Sequence, residues 1–102
     1  MPITLDDLEE AGFPKDNWPD DLPMPGENNI RKQAEDGTQE RYRFEVEVDG
    51  QRFGMEVDLD TATVPDPAEG VSFMLNQFAF LWRSDKSEVA VDADGSVRRI
   101  NF

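Results

Sequence analysis

Carboxylates are the chemistry-bearing side chains of this sequence: Asp and Glu number 23 against 10 Lys and Arg, with no His and no Cys. Paired carboxylates serve as general acid and base, and Asp-rich loops hold hard cations such as Ca²⁺ and Mg²⁺. The missing His and Cys remove the imidazole base, the thiolate nucleophile and the soft-metal ligand sets. Two spacings invite a calcium-loop test. In Asp92-Ala93-Asp94-Gly95, a glycine at the loop's sixth position puts Ala90 first and Asn101 twelfth, where carboxylates are required. Asp58, Asp60 and Glu69 have the first, third and twelfth spacings, but Thr63 occupies the glycine position and Pro65 follows. Both tests fail, which leaves weak Ca²⁺ or Mg²⁺ binding by Asp-rich turns; turn formation explains Asp-Gly without an ion.

A glycosidase needs two carboxylates facing each other across a sugar-sized cleft, which 102 residues can hardly build beside a core. No Gly-rich phosphate loop and no G-x-S-x-G elbow occurs. The expectation is a protein that is not an enzyme, with no catalytic, cofactor or metal residues.

The net charge of −13 disfavours direct binding to nucleic acid or to anionic membrane surfaces, and points to a basic protein surface as partner. The charge is unevenly spread. Residues 1–28 hold eight acids and only Lys15, a net of −7; residues 29–61 are net −4 and residues 62–102 net −2. The partner-binding candidates therefore lie at the N-terminal end: Asp6, Asp7, Glu9, Glu10, Asp16, Trp18, Asp20, Asp21 and Glu27. A solvated charged face explains the same acids with no partner at all.

What positions them is a short helix and a long loop. Thr4 and Asp7 have capping-box spacing, Leu5 and Leu8 give one apolar face, and Gly12 and Pro14 end the run. Residues 13–29 contain four prolines and Gly26, which argues against regular structure. A loop this long must be functional or pinned to the core, and Trp18, Leu22 and Met24 are the expected pins. Trp18 has two readings, as an anchor in the protein's own core or as a binding anchor, with the first favoured.

The strongest local pattern runs from Arg41 to Leu59. Tyr42, Phe44, Val46 and Val48 alternate with charge, as do Phe53, Met55, Val57 and Leu59 beyond Asp49-Gly50, so a β-hairpin with a type I′ turn is predicted. A two-residue loop pairs Val46 with Phe53, Phe44 with Met55 and Tyr42 with Val57. The same register sets Arg43 opposite Glu56, Arg41 opposite Asp58 and Glu47 opposite Arg52 on the other face. A third strand over 29–34 is expected at the sheet edge, and a second hairpin over 87–102, where the consecutive Arg98 and Arg99 would mark a bulge. Asp66 as N-cap, Pro67 and Glu69 start a helix near 67–83 whose stripe is Val71, Met74, Leu75, Phe78 and Trp82. The segment 71–82 also alternates like a strand, and helix is the reading adopted.

The fold class is thus α+β in a single domain, 1–102. An antiparallel sheet of about four to five strands in two hairpins lies under the 66–83 helix, with a short N-terminal helix and a Pro-rich loop beside them. No signal peptide or membrane span is recognisable, and a cytoplasmic location is expected. Oligomeric state is not indicated. In size, acidity and lack of catalytic residues the chain resembles small phage-encoded anti-defence proteins, including anti-CRISPR and DNA-mimic inhibitors. That resemblance implies a blocking inhibitor of a basic nuclease or effector complex. The alternatives are an immunity protein for a basic toxin, with Trp18 and Tyr42 as aromatic anchors if exposed, and a salt-adapted acidic protein of another function.

Overall fold

The computed structural model describes residues 2–102. Two helices, α1 (Leu5–Glu10) and α2 (Pro67–Ser84), accompany four strands: β1 (Ile30–Asp36), β2 (Gln39–Val48), β3 (Gln51–Asp60) and β4 (Arg98–Asn101). The strand order is β1-β2-β3-β4, giving the expected α+β class with one sheet. The N-terminal segment and α2 share one core with the inward-facing residues of the sheet.

The β2–β3 hairpin forms in the predicted register, with Val46 level with Phe53, Phe44 with Met55 and Tyr42 with Val57. Asp49 and Gly50 both take positive φ, 55° and 81°, as a type I′ loop demands. β1 extends two residues beyond the expected 29–34 segment because Glu35 and Asp36 keep pairing with Glu40 and Gln39. The loop to β2 is only Gly37-Thr38, where Gly37 supplies a φ of 63°. The β1 register shifts between Lys32 and Ala34, so Gln33 is the extra residue of a bulge.

The C-terminal hairpin expected over 87–102 does not form. Lys86–Val89 is a 3-10 turn started by the Asp85 side chain, which accepts from the Ser87 amide, and Val89 is fully buried. Ala90 then bridges Phe53 antiparallel, the chain turns at Asp92–Gly95, and β4 runs parallel to β3 from Met55 to Asp58. The two apolar runs therefore line up along β3 and not along each other. Parallel neighbours need a long crossover, and α2 supplies it. Arg98 and Arg99 mark no bulge: they alternate normally, Arg98 level with Met55 and Arg99 level with Glu56.

α2 starts as its sequence dictates, with Asp66 accepting from the Ala68 amide at 3.1 Å and Pro67 in the first turn. Its predicted stripe of Val71, Met74, Leu75, Phe78 and Trp82 is buried, while Phe73 and Phe80, which the strand reading would have turned inward, face solvent. Gly70 lets the helix lie close to the sheet, since an added Cβ would come within 2.5 Å of Leu59 Cδ2. Edge-to-face contacts of Trp18 with Phe44 (5.7 Å) and Phe13 (5.6 Å) join the N-terminal segment to this core. Trp18 also stacks on Phe78 at 6.2 Å. Each aromatic pair adds about 0.5–1.5 kcal/mol beyond its burial.

Candidate partner-binding surface

α1 carries the first four candidate acids. Its capping box is complete: Asp7 accepts from the Thr4 amide at 3.0 Å while Thr4 Oγ1 accepts from the Asp7 amide at 3.2 Å. Asp7 is thereby committed to folding the helix. Leu8 faces the core, and Asp6 and Glu10, one turn apart, point outward on the opposite side. Glu9 pairs with Lys15 at 3.1 Å, and that hydrogen bond raises the Lys15 pKa.

The Pro-rich loop is pinned as expected by Trp18 and Leu22, but Met24 is 47% exposed; the fully buried Pro25 takes the place expected of it. A proline ring without a donor is easily buried, whereas Met24 contributes its backbone carbonyl, which accepts from Asn29 Nδ2. Trp18 is 5% exposed and its Nε1–H donates to the Pro23 carbonyl at 2.9 Å, so as a partner-binding residue it is corrected to a core residue. Asp21 accepts from Trp82 Nε1 at 3.0 Å and is likewise engaged within the fold. Asp16 and Asp20 lie exposed on either side of the pinned indole, and Glu27 is exposed before β1. Of the nine candidates, Asp6, Glu10, Asp16, Asp20 and Glu27 remain exposed with no side-chain hydrogen bond or ion pair among the described residues.

The opposite, open face of the sheet behaves differently. By register it carries Arg31, Arg41, Arg43, Arg52 and Arg99, half of the chain's ten bases, together with Glu45, Glu47, Glu56, Asp58 and Asp60. Arg41 binds Asp58 at 2.7 Å, and Arg43 reaches Glu45 at 2.7 Å and Glu56 at 3.2 Å. Arg99 holds Glu56 at 2.7 Å. Burial by itself would raise the pKa values of Glu45 and Glu56, but hydrogen bonds from Arg43 and Arg52 on one and from Arg99 and Arg43 on the other bring both below their ordinary value. One expected partner is exchanged. Arg52 is level with Glu47 but bonds to Glu45 at 3.0 Å, on the diagonal, Glu45 itself being level with Gly54.

Sequence reasoning missed Phe80, which is 63% exposed on α2. It borders a hollow of about 400 Å³ lined also by Phe13, Pro14, Trp18, Asn76 and Ala79. The available signal was the spacing Glu69, Phe73, Asn76, Phe80, Arg83 on the solvent side of the helix. Among the described residues no helix is long and apolar enough to cross a membrane, and no three acidic side chains cluster to hold a metal ion. Comparison with protein families, curated proteins and solved structures gives no match for this chain.

Proposed function

We propose that this chain is a non-enzymatic, cytoplasmic acidic binding protein that inhibits a basic nucleic-acid-binding protein or effector complex by occupying its phosphate-binding groove. The supporting observation is the division of charge between the two faces. Arginines on the open sheet face pair with Glu45, Glu56 and Asp58, whereas Asp6, Glu10, Asp16, Asp20 and Glu27 of α1 and the Pro-rich loop form no ion pair among the described residues. Carboxylates can replace phosphates against Lys and Arg because both accept charge-assisted hydrogen bonds. The core burial of Trp18 holds the loop that carries Asp16 and Asp20 in one conformation, which lowers the ordering cost of binding. Phe80 offers an apolar contact beside them.

An immunity protein for a basic toxin would use the same electrostatics with aromatic anchors. Trp18 and Tyr42, the aromatics that reading names, are 5% and 4% exposed, which favours the inhibitor of a nucleic-acid-binding groove.

Immobilised poly-L-arginine and a basic nuclease retained from host extract test the proposal by salt-step elution. Reversing Asp6, Glu10, Asp16 and Asp20 to Lys should shift elution to much lower salt than reversing Glu47, Asp49, Asp92 and Asp94. Duplex DNA should compete with the chain for the nuclease. Equal elution of the two variants, or binding indifferent to DNA, would sink the proposal.

A further inference from the structure

We propose that the open sheet face of this acidic chain holds a binding site for a small oxyanion of the phosphate class. The site is a depression of about 420 Å³ where the start of β1, the β2–β3 hairpin and the Gly95 turn meet, and its lining includes Arg31, Arg43, Arg52, Asn28, Gln33 and Gly95. Glu45 is the one carboxylate in that lining, and its oxygens are already held by Arg43 and Arg52. Arg43 donates to the Gly95 carbonyl as well, and the Gly95 amide donates to the Asp92 carbonyl, so the side chains left free to donate are those of Arg31, Asn28 and Gln33.

Two independent features point to a ligand there. Arg31 lies directly opposite Arg43 across the β1–β2 pair, a like-charge arrangement that costs stability in a sheet. Arg41, Arg43, Arg52 and Arg99 each have a carboxylate partner, and among the described residues Arg31 alone on this face has none. Arg43 is compensated by Glu45 and Glu56, so an anion lying over these strands would satisfy the one free fork, that of Arg31. The second feature is the bulge: the register shift between Lys32 and Ala34 makes Gln33 the extra residue, and Gln33 lines the depression. Bulges re-aim side chains in this manner beside binding sites. No hydrogen bond engages the Asn28 or Gln33 side chain among the described residues, whereas Asn29 is spent on Gly26 and Met24.

A tetrahedral oxyanion suits donors that come from several strands and directions better than a planar carboxylate, which is matched by one guanidinium fork. The chain's net charge of −13 selects small ligands. Charges farther than about 8 Å are largely screened at physiological ionic strength, so a single phosphate group senses mainly the local arginines. A nucleic acid strand would run past the depression onto repelling carboxylates, Glu47 among them.

Titration of the full ¹⁵N-labelled chain, at ionic strength held constant with NaCl, tests the site with inorganic phosphate, acetate and a single-stranded oligonucleotide. Phosphate should saturably shift the Arg31 Nε and the Asn28 and Gln33 side-chain amide signals with a Kd on the order of 1 mM. Arg31→Ala, on an exposed edge position where the fold tolerates truncation, should weaken phosphate about fivefold or more, and Arg31→Lys should weaken it less. Arg98→Ala removes the same charge on the other face and should leave the affinity unchanged. Overturning results are a phosphate response that does not saturate, an equal affinity for acetate, tighter binding of the oligonucleotide, or equal losses from Arg31→Ala and Arg98→Ala.

Discussion

The indole Nε1–H of Trp82 donates to the Asp21 carboxylate across 3.0 Å, tying the acidic loop to the last turns of α2 between residues 61 apart in sequence. The Arg83 guanidinium adds a bond to the Asn17 carbonyl next to it. Asp21→Ala leaves a buried indole donor unpaired, so it should lower unfolding stability by about 1–2 kcal/mol. It should also speed amide exchange across residues 13–24. Asp20→Ala, which removes no internal partner, should stay within about 0.5 kcal/mol of the parent. Chemical denaturation of both variants decides the matter, and equal losses would reject this role for Asp21.

Glu10 presents the reverse situation, a residue whose removal should stabilise the fold. It sits in the last turn of α1, where no basic residue is present, one turn after the like-charged Asp6. Glu10→Lys converts that repulsion into an i,i+4 ion pair and places a cation at the helix C-terminus. The expected gain is about 0.5–1 kcal/mol, read as a higher urea midpoint. The same substitution should weaken retention on poly-L-arginine. Stability and binding moving in opposite directions is what a carboxylate kept for binding predicts; loss of stability in Glu10→Lys would count against it.

On the open face, two neighbouring glutamates should behave unequally. Glu45 binds Arg43 at 2.7 Å and Arg52 at 3.0 Å, while Glu47 forms no ion pair among the described residues. Glu45→Gln should cost about 1 kcal/mol and Glu47→Gln less than about 0.5 kcal/mol. Gly54→Ala tests the close approach of β3 to β2 beside this pair. Its Cβ would lie 2.7 Å from the Phe44 carbonyl oxygen, so the strand must shift, at a cost of about 1–3 kcal/mol. If Glu47→Gln proves the costlier glutamine variant, the diagonal pairing is wrong.

That unequal pair shows where the sequence was legible. Apolar alternation and a two-residue Asp-Gly loop settle the register of β2 and β3, because slipping by one residue would turn every core side chain to solvent. The partner of Arg52 could not be read from the register, which sets Glu47 opposite it, while a long guanidinium side chain also reaches Glu45 on the diagonal. The C-terminal run misled for a related reason. Val89 and Ile100 are the few inward apolar residues of two very short segments, and nothing local distinguishes pairing with each other from pairing with β3. At the candidate surface, charge could be counted, but commitment could not. Asp7, Glu9 and Asp21 look like Asp6, Glu10 and Asp20 until their partners Thr4, Lys15 and Trp82 are in place.

Glu56 gives the pH dependence of the fold. It is 5% exposed on the open sheet face, covered by Arg99 at 2.7 Å and Arg43 at 3.2 Å. Burial alone would raise its pKa; the two guanidiniums more than offset this and hold it below the ordinary value of 4.5. The unfolded chain therefore takes up this proton at a higher pH than the folded one. The stabilisation is complete above pH 4.5 and is lost as pH falls through the lowered folded value. Glu45, shifted the same way by Arg43 and Arg52, adds to the effect over the same window. Glu56→Gln should lower stability at neutral pH by about 2 kcal/mol, the lower end for a buried charged partner because Arg99 is half in solvent. Below pH 4.5 the gap between variant and parent should narrow, since protonation removes from the parent what the substitution already removed. Urea unfolding across that range measures it, and a gap that stays constant with pH would show that the Glu56 charge does not contribute.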